Sequence, residues 1–104
     1  MNRLPVIQDE AEGAAETFKA LGDPTRIKLL GQLRSRGACG PDTGLCVCDL
    51  TGTLGVGQST ISHHLALLRR AGLVAFAKRG QYSHFWIAPR ARETILDLLE
   101  GVGL

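Results

Sequence analysis

The sequence predicts a mostly α-helical domain carrying one β-hairpin, in the order α-α-α-α-β-β-α. Three observations predict it. Apolar residues recur at three-to-four spacing through most of the chain. Two β-prone runs, LVAFAK and YSHFWIA, flank Arg79-Gly80-Gln81 as the arms of a hairpin flank its turn. Gly, Pro and Asp fall at the joints between these segments, where helices start and stop. The 104 residues make one domain, 1–104, with a modest core, and the 44 % hydrophobic share is that of a folded chain.

A first helix is expected from about Asp9 to Leu21, with Ala14, Phe18 and Leu21 along one side and Gly22 as its stop. Asp23-Pro24 starts a second helix, Asp as N-cap and Pro at the first helical position. Ile27, Leu30 and Leu33 form its expected apolar stripe, and Gly37 ends it. The turn-rich loop GACGPDTG leads to a short third helix over about Val47 to Leu54. Gly55 to Gly57 is a tight turn, and a fourth helix runs on to Ala71 with Ile61, Leu65 and Leu68 facing inward. The hairpin follows. Pro89 then opens a fifth helix, RARETILDLLE, striped by Ile95, Leu98 and Leu99. A short helix, a Gly-bearing turn and a longer helix form a helix-turn-helix, and a hairpin directly behind it makes a winged helix-turn-helix.

Charge is distributed unevenly. From Leu50 to Arg92 there is no Asp or Glu, while six Lys or Arg and all three histidines lie there. This 43-residue segment carries +6, and the remainder, with all ten acids, carries −4. Ordinary solvated surfaces mix their signs, so the segment reads as a face for a polyanion, double-stranded DNA above all. The outward face of the fourth helix presents Ser59, Ser62, His63, Ala66 and Arg70. Gln58, Ser59 and Thr60 stand at its N-terminus, where free N–H groups favour a phosphate. Residues of this kind bond base edges or backbone oxygens. His64 falls nearer the core edge and reads as a packed, hydrogen-bonded side chain rather than a metal partner of His63. At the hairpin tip Lys78, Arg79, Gln81 and Tyr82 can lie on a phosphate backbone or in a minor groove.

No catalytic constellation is visible: there is no phosphate loop, and carboxylates are absent from the region that holds the histidines. No segment is long and apolar enough for a membrane span, and the N-terminus lacks a signal-peptide core. A cytoplasmic protein is expected. In that compartment three cysteines, Cys39, Cys46 and Cys48, read as metal ligands or packed thiols rather than as a disulfide framework. Their C-x6-C-x-C spacing completes no structural zinc site, and no structural cofactor is expected. In a regular helix Cys46 and Cys48 diverge by about 200°, so the expectation is that they converge only if the first turn unwinds. Three thiolates suit a soft ion that accepts three-coordinate sulfur, such as trivalent arsenic or antimony. Cys39, in the Gly/Pro loop, supplies the third.

The blocks ALGDPTRIKLLGQL, LCVCDL and LGVGQSTISHHLALLRRAGLV, followed by the wing, resemble the ArsR/SmtB metalloregulatory repressors from about Phe18 to Trp86. The resemblance implies a homodimer joined mainly through the first and last helices, here 1–22 and 89–104. It also implies operator DNA bound in the unliganded state and released on binding an effector. Gln58, Ser59, Thr60, Ser62 and His63 occupy the family's recognition-helix positions, and Lys78 to Tyr82 its wing. CVCDL is similar to the arsenic/antimony sensors and to the cadmium/lead sensors. The arsenic type commonly has a third Cys after Asp-Leu, where this chain has Thr51. The cadmium/lead type adds cysteines from an N-terminal arm, which has none here. Gly57 stands where a Ser usually caps the recognition helix. As(III) or Sb(III), including an organic arsenical, is the expected effector. Cd(II), Pb(II) and thiol oxidation remain alternatives, as does a winged helix used only to dock proteins.

Overall fold

The joint Leu21-Gly22-Asp23-Pro24 shows how local chemistry places the first two helices. In the computed structural model, which describes residues 8–104, α1 spans Gln8–Leu21 and α2 spans Pro24–Ser35. The part of the expected dimerisation segment before residue 8 lies outside the described residues. Asp23 is extended (φ −119°, ψ 129°), and its carboxylate accepts the Arg26 backbone N–H at 3.1 Å, with Pro24 opening the helix. That N–H holds the Asp23 carboxyl below the usual carboxylate range.

The face that α2 buries differs from the expected stripe. Arg26, Leu29 and Leu33 are buried, Leu30 is half-buried and Ile27 is 50 % exposed. Arg26 decides this. Its Nε donates to the Ala20 carbonyl at 2.8 Å and a terminal nitrogen donates to Lys19 O at 3.2 Å, closing the last turn of α1. The other terminal nitrogen lies 3.1 Å from His64 Nδ1, which must accept because a guanidinium has only donors. A cation with this many partners can be buried, and burying it turns Leu29 into the core. On α1 the buried line is Ala14, Thr17 and Ala20, with Phe18 and Leu21 half-buried beside it.

Three elements then follow in quick succession: strand β1 (Leu45–Cys46), helix α3 (Val47–Leu54) and helix α4 (Gln58–Arg70). Gly55 ends α3 in the left-handed conformation (φ 70°), which favours glycine. The hairpin is β2 (Val74–Arg79) with β3 (Tyr82–Ile87), and α5 (Ala91–Gly101) closes the chain, starting two residues beyond Pro89.

The expected two-stranded hairpin is in fact the larger part of a three-stranded antiparallel sheet, ordered β1-β3-β2. Leu45 pairs with Phe85 and Cys46 with His84. Two residues carry no alternation to detect, so β1 is invisible in sequence. Gly44 permits it: a Cβ there would lie 3.1–3.2 Å from His84 Cβ, the Phe85 carbonyl oxygen and the Trp86 ring. The core joins Leu29, Leu33, Leu50, Ile61, Leu65, Leu68, Leu73 and Trp86. Helix α4 therefore has its apolar face fixed against the body of the domain.

Candidate functional site

Helix α4 presents its polar residues because its apolar ones are fully committed. Ile61, Leu65 and Leu68 are fully buried, as their spacing predicts. Gln58, Ser59, Thr60, Ser62, His63 and Arg70 are exposed. Gly57 is the N-cap, extended and without a side-chain cap, so the first-turn N–H groups lack a side-chain acceptor from that residue. Arg70 lies 3.8 Å from Glu16 on α1 in an exposed ion pair, which competes only weakly for it. His63 helps line a cavity of about 380 Å³ with Lys19, Arg26, Arg70 and Glu16. His64 is the packed, hydrogen-bonded residue its position predicts, and the two imidazole rings are 6.0 Å apart and tilted.

The wing is tied to this helix by a contact that sequence reading missed. The Arg69 guanidinium carbon sits 4.0 Å above the Phe76 ring, and Phe76 stacks on Phe85 at 5.6 Å across the hairpin. Arg69 and Phe76 belong to different elements, so no local spacing announces the pair. Beyond it, Lys78, Arg79, Gln81 and Tyr82 are exposed around Gly80 (φ 65°), with Arg79 paired to Tyr82. The face formed by the first turn of α4 and the wing tip is cationic and rich in hydroxyl and amide groups, a surface that can bond phosphates and base edges.

The thiols meet at the mouth of α3. Cys46 is buried and serves both as the last residue of β1 and as the N-cap of α3; Cys48 is exposed, one residue into the helix from Val47. Their sulfurs are joined as a disulfide, with Cα atoms 5.3 Å apart, where the sequence led us to expect free thiols. The convergence also needs no unwinding, contrary to expectation. Cys46 is extended (φ −81°, ψ 166°) and lies outside the helix, so the ~200° divergence of helical positions does not apply to it. Asp49, which sequence reading passed over, joins them: one ligand atom from each of Cys46, Cys48 and Asp49 lies within 4.8 Å of the others. Its carboxylate accepts the Cys46 N–H at 3.0 Å. The signal was the third-residue carboxylate of a helix start.

Cys39 is placed elsewhere. It is exposed, its Sγ lies 3.7 Å from Thr43 Oγ1, and its N–H donates to that oxygen at 3.1 Å. Among the described residues the cluster at the helix mouth does not include it. Opposite Cys46 in β3 stands His84, whose buried Nδ1 has no hydrogen-bond partner among the described residues. A cavity of about 260 Å³ runs from the sulfur pair to the first turn of α4 and the wing tip, lined by Val47, Gln58, Ser62, Tyr82 and Phe85 among others.

Comparison with known proteins now decides the family. Residues 23–75, the stretch from the α2 cap into β2, match the model of the bacterial regulatory protein, arsR family. The chain belongs to the ArsR family. It is 38 % identical over 92 residues to an uncharacterised HTH-type transcriptional regulator of Methanocaldococcus jannaschii, covering 88 % of this chain and 97 % of that one. It is 40 % identical over 74 residues to the arsenical resistance operon repressor of Escherichia coli, covering 71 % of this chain and 58 % of that repressor. An ArsR-like transcriptional regulator from Rhodococcus sp. RHA1 superposes with a TM-score of 0.68 at 26 % identity, over 88 % of this chain and 78 % of its own. The chain is thus an ArsR/SmtB-type transcriptional repressor with a DNA-binding winged helix, a regulator and not an enzyme. No helix among the described residues is long and apolar enough to cross a membrane.

Proposed function

We propose that this ArsR-family repressor acts as a cytoplasmic homodimer on operator DNA and releases it when trivalent arsenic or antimony binds Cys46 and Cys48. One observation carries the reading: the two sulfurs converge where β1 meets α3, between the two elements that would touch DNA. The arsenical-resistance name of the E. coli relative supports the same effector. Cys46 is on a strand paired with β3 of the wing, and Cys48 is on the helix that packs on α4. Arsenous acid would condense with the reduced pair, forming two As–S bonds and losing two waters, with arsenic remaining trivalent. The disulfide must first be opened by a thiol reductant, which is itself oxidised to a disulfide. The bound form favours release only as far as the ion prefers that conformation, by about 1–3 kcal/mol of coupling.

On the DNA side, Gln58, Ser59, Thr60, Ser62, His63 and Arg70 would face the groove and backbone. Lys78, Arg79, Gln81 and Tyr82 would form the wing contact. The dimer would use α1 and α5, within 1–22 and 89–104. Asp49 favours a second reading: its carboxylate adds a hard oxygen donor beside two sulfurs, a set that also suits Cd(II) or Pb(II).

The test is operator binding by fluorescence anisotropy with reduced protein, with and without arsenite, antimonite, Cd(II) or Pb(II). Release by arsenite in the wild type, lost in Cys46→Ser and Cys48→Ser, is the expected result. A normal response in Cys39→Ser makes the site a two-thiol one; loss there brings the loop thiol into it. Unchanged affinity on adding arsenite overturns the arsenic reading, and peroxide then tests thiol oxidation. Duplex binding that is absent at low salt would leave only a protein-docking role.

A further inference from the structure

Helix α4 has a cavity on each flank. The one beside Gln58 and Ser62 adjoins the sulfur pair; the other, about 380 Å³, opens between α4 and α1 and touches neither cysteine. Lys19, Arg26 and Arg70 line this second cavity with a single acid, Glu16, so among the described residues three cations meet one carboxylate and the lining carries +2. Like charges gathered around one space repel unless an anion joins them. Glu16 does not supply that need, because its 3.8 Å contact with Arg70 is exposed and therefore weak. The nearby Asp23 carboxylate is engaged at the start of α2.

Arg26 gives the cavity a built wall. It is nine-tenths buried, and its guanidinium has five N–H donors. Bonds to the Ala20 carbonyl, the Lys19 carbonyl and His64 use three of them. A buried cation with donors to spare, on the wall of a cavity, is suited to short charge-assisted bonds. Lys19, Arg70 and the His63 imidazole add mobile donors from the exposed side, and Ala20 and Leu67 add apolar wall.

We propose that this cavity binds the phosphate dianion of a small molecule, as free phosphate or a small phosphate ester, in competition with the operator. A phosphate monoester carries about −1.5 to −2 charges at pH 7 and three strong acceptor oxygens, which answers the +2 lining and its several donors. A single carboxylate would leave half of that charge unanswered. The cavity exceeds the ~150 Å³ that holds benzene in another protein, so a small organic body has room beside Ala20 and Leu67. A duplex phosphodiester has one charge and is hemmed in by its sugars, so it meets the exposed Arg70 rather than the buried Arg26. The anion site stands apart from the arsenic reading. Its competition with the operator rests on the DNA reading above, in which His63 and Arg70 face the groove and backbone. A phosphate that holds those two side chains withholds them from DNA, and linkage makes the operator weaken phosphate binding by the same factor.

The experiment uses the full-length protein in a chloride buffer at constant ionic strength, with inorganic phosphate and phenyl phosphate as probes. Isothermal titration calorimetry reads binding to the free protein, and fluorescence anisotropy reads operator affinity with and without each probe. Lys19→Gln removes one charge-assisted donor from an exposed position and should weaken phosphate binding about tenfold, with operator affinity in chloride alone within about twofold of wild type. Glu16→Gln removes the competing carboxylate and should tighten phosphate binding several-fold. Phosphate should weaken operator binding in the wild type more than matched chloride or acetate does, and less in Lys19→Gln. Tighter binding of phenyl phosphate than of inorganic phosphate assigns the site to an ester, and equal binding assigns it to free phosphate; either upholds it. No binding to the free protein, binding unmoved by Lys19→Gln, or operator release matched by acetate overturns the proposal while leaving the DNA reading intact. Phosphate binding without any duplex binding overturns the competition and the DNA reading together, and leaves the anion site standing.

Discussion

Helices α4 and α5 have nearly the same design and opposite fates. Each is a helix of about three turns with an apolar stripe at three-to-four spacing. In α4 the stripe residues Ile61, Leu65 and Leu68 are fully buried. In α5 none of the residues is fully buried, Ile95, Leu98 and Leu99 are half-covered, and Leu96 is 50 % exposed. The difference teaches that a hydrophobic stripe states a demand for burial and does not say what meets it. For α4 the rest of the chain meets it, which packs that helix into the body of the domain. For α5 the described residues leave the stripe half-covered, and the proposed second copy of the chain would cover the rest.

The most severe way to break the comparison is Leu65→Ala. It removes a fully buried side chain and should cost about 2–5 kcal/mol, read by urea denaturation. The corresponding change on α5, Leu96→Glu, should leave the urea midpoint of the diluted chain nearly unchanged. It should instead convert a dimer to a monomer in sedimentation equilibrium and weaken operator binding by about tenfold or more. If Leu96→Glu unfolds the chain as Leu65→Ala does, the contrast between the two helices is wrong.

Two neighbouring features sharpen the same contrast. Removing the wing charges with Lys78→Ala and Arg79→Ala should weaken DNA binding across all sequences and lower the log–log salt slope by about one per lost phosphate contact. The fold should stay intact, since both side chains are exposed. Asp23→Ala should lower Tm modestly at neutral pH. Because the folded carboxyl is held below its unfolded value, its contribution is full above about pH 4 and disappears as pH falls through the lower folded value. Wild type and variant should therefore converge in acid, and a gap that widens there would contradict the cap. The smallest effect is expected at the start of α4. Gly57→Ser adds a side-chain cap where no atom lies within 4 Å of a new Cβ, and should stabilise by a few tenths of a kcal/mol.

Much of the fold was legible because its signals are local. Asp23-Pro24 starts α2, Gly55 ends α3, and Ile61, Leu65 and Leu68 mark the buried side of α4, all within one or two turns of chain. The readings that changed depended on distant partners. Ile27 looked inward until Arg26 took the buried side with acceptors on α1 and α4. At the thiol site the crowding of Cys46 and Cys48 was visible, but their convergence depended on where the helix begins. The extended conformation of Cys46 is set by pairing with a strand some forty residues later, His84 being its partner.

The sequence by itself determined the order of elements, the acid-free half with its cations, and the presence of two cysteines at a helix mouth. Periodicity, turn chemistry and net charge are properties of neighbouring residues, and they survive without coordinates. Only the tertiary structure decided that Cys46 caps α3 from a wing-paired strand, that Asp49 stands with the sulfurs, that Cys39 is outside that cluster, and that a cavity joins the thiols to α4 and the wing tip. Those facts arise where chain segments far apart in sequence pack together, and packing of that kind leaves no periodic mark on either segment.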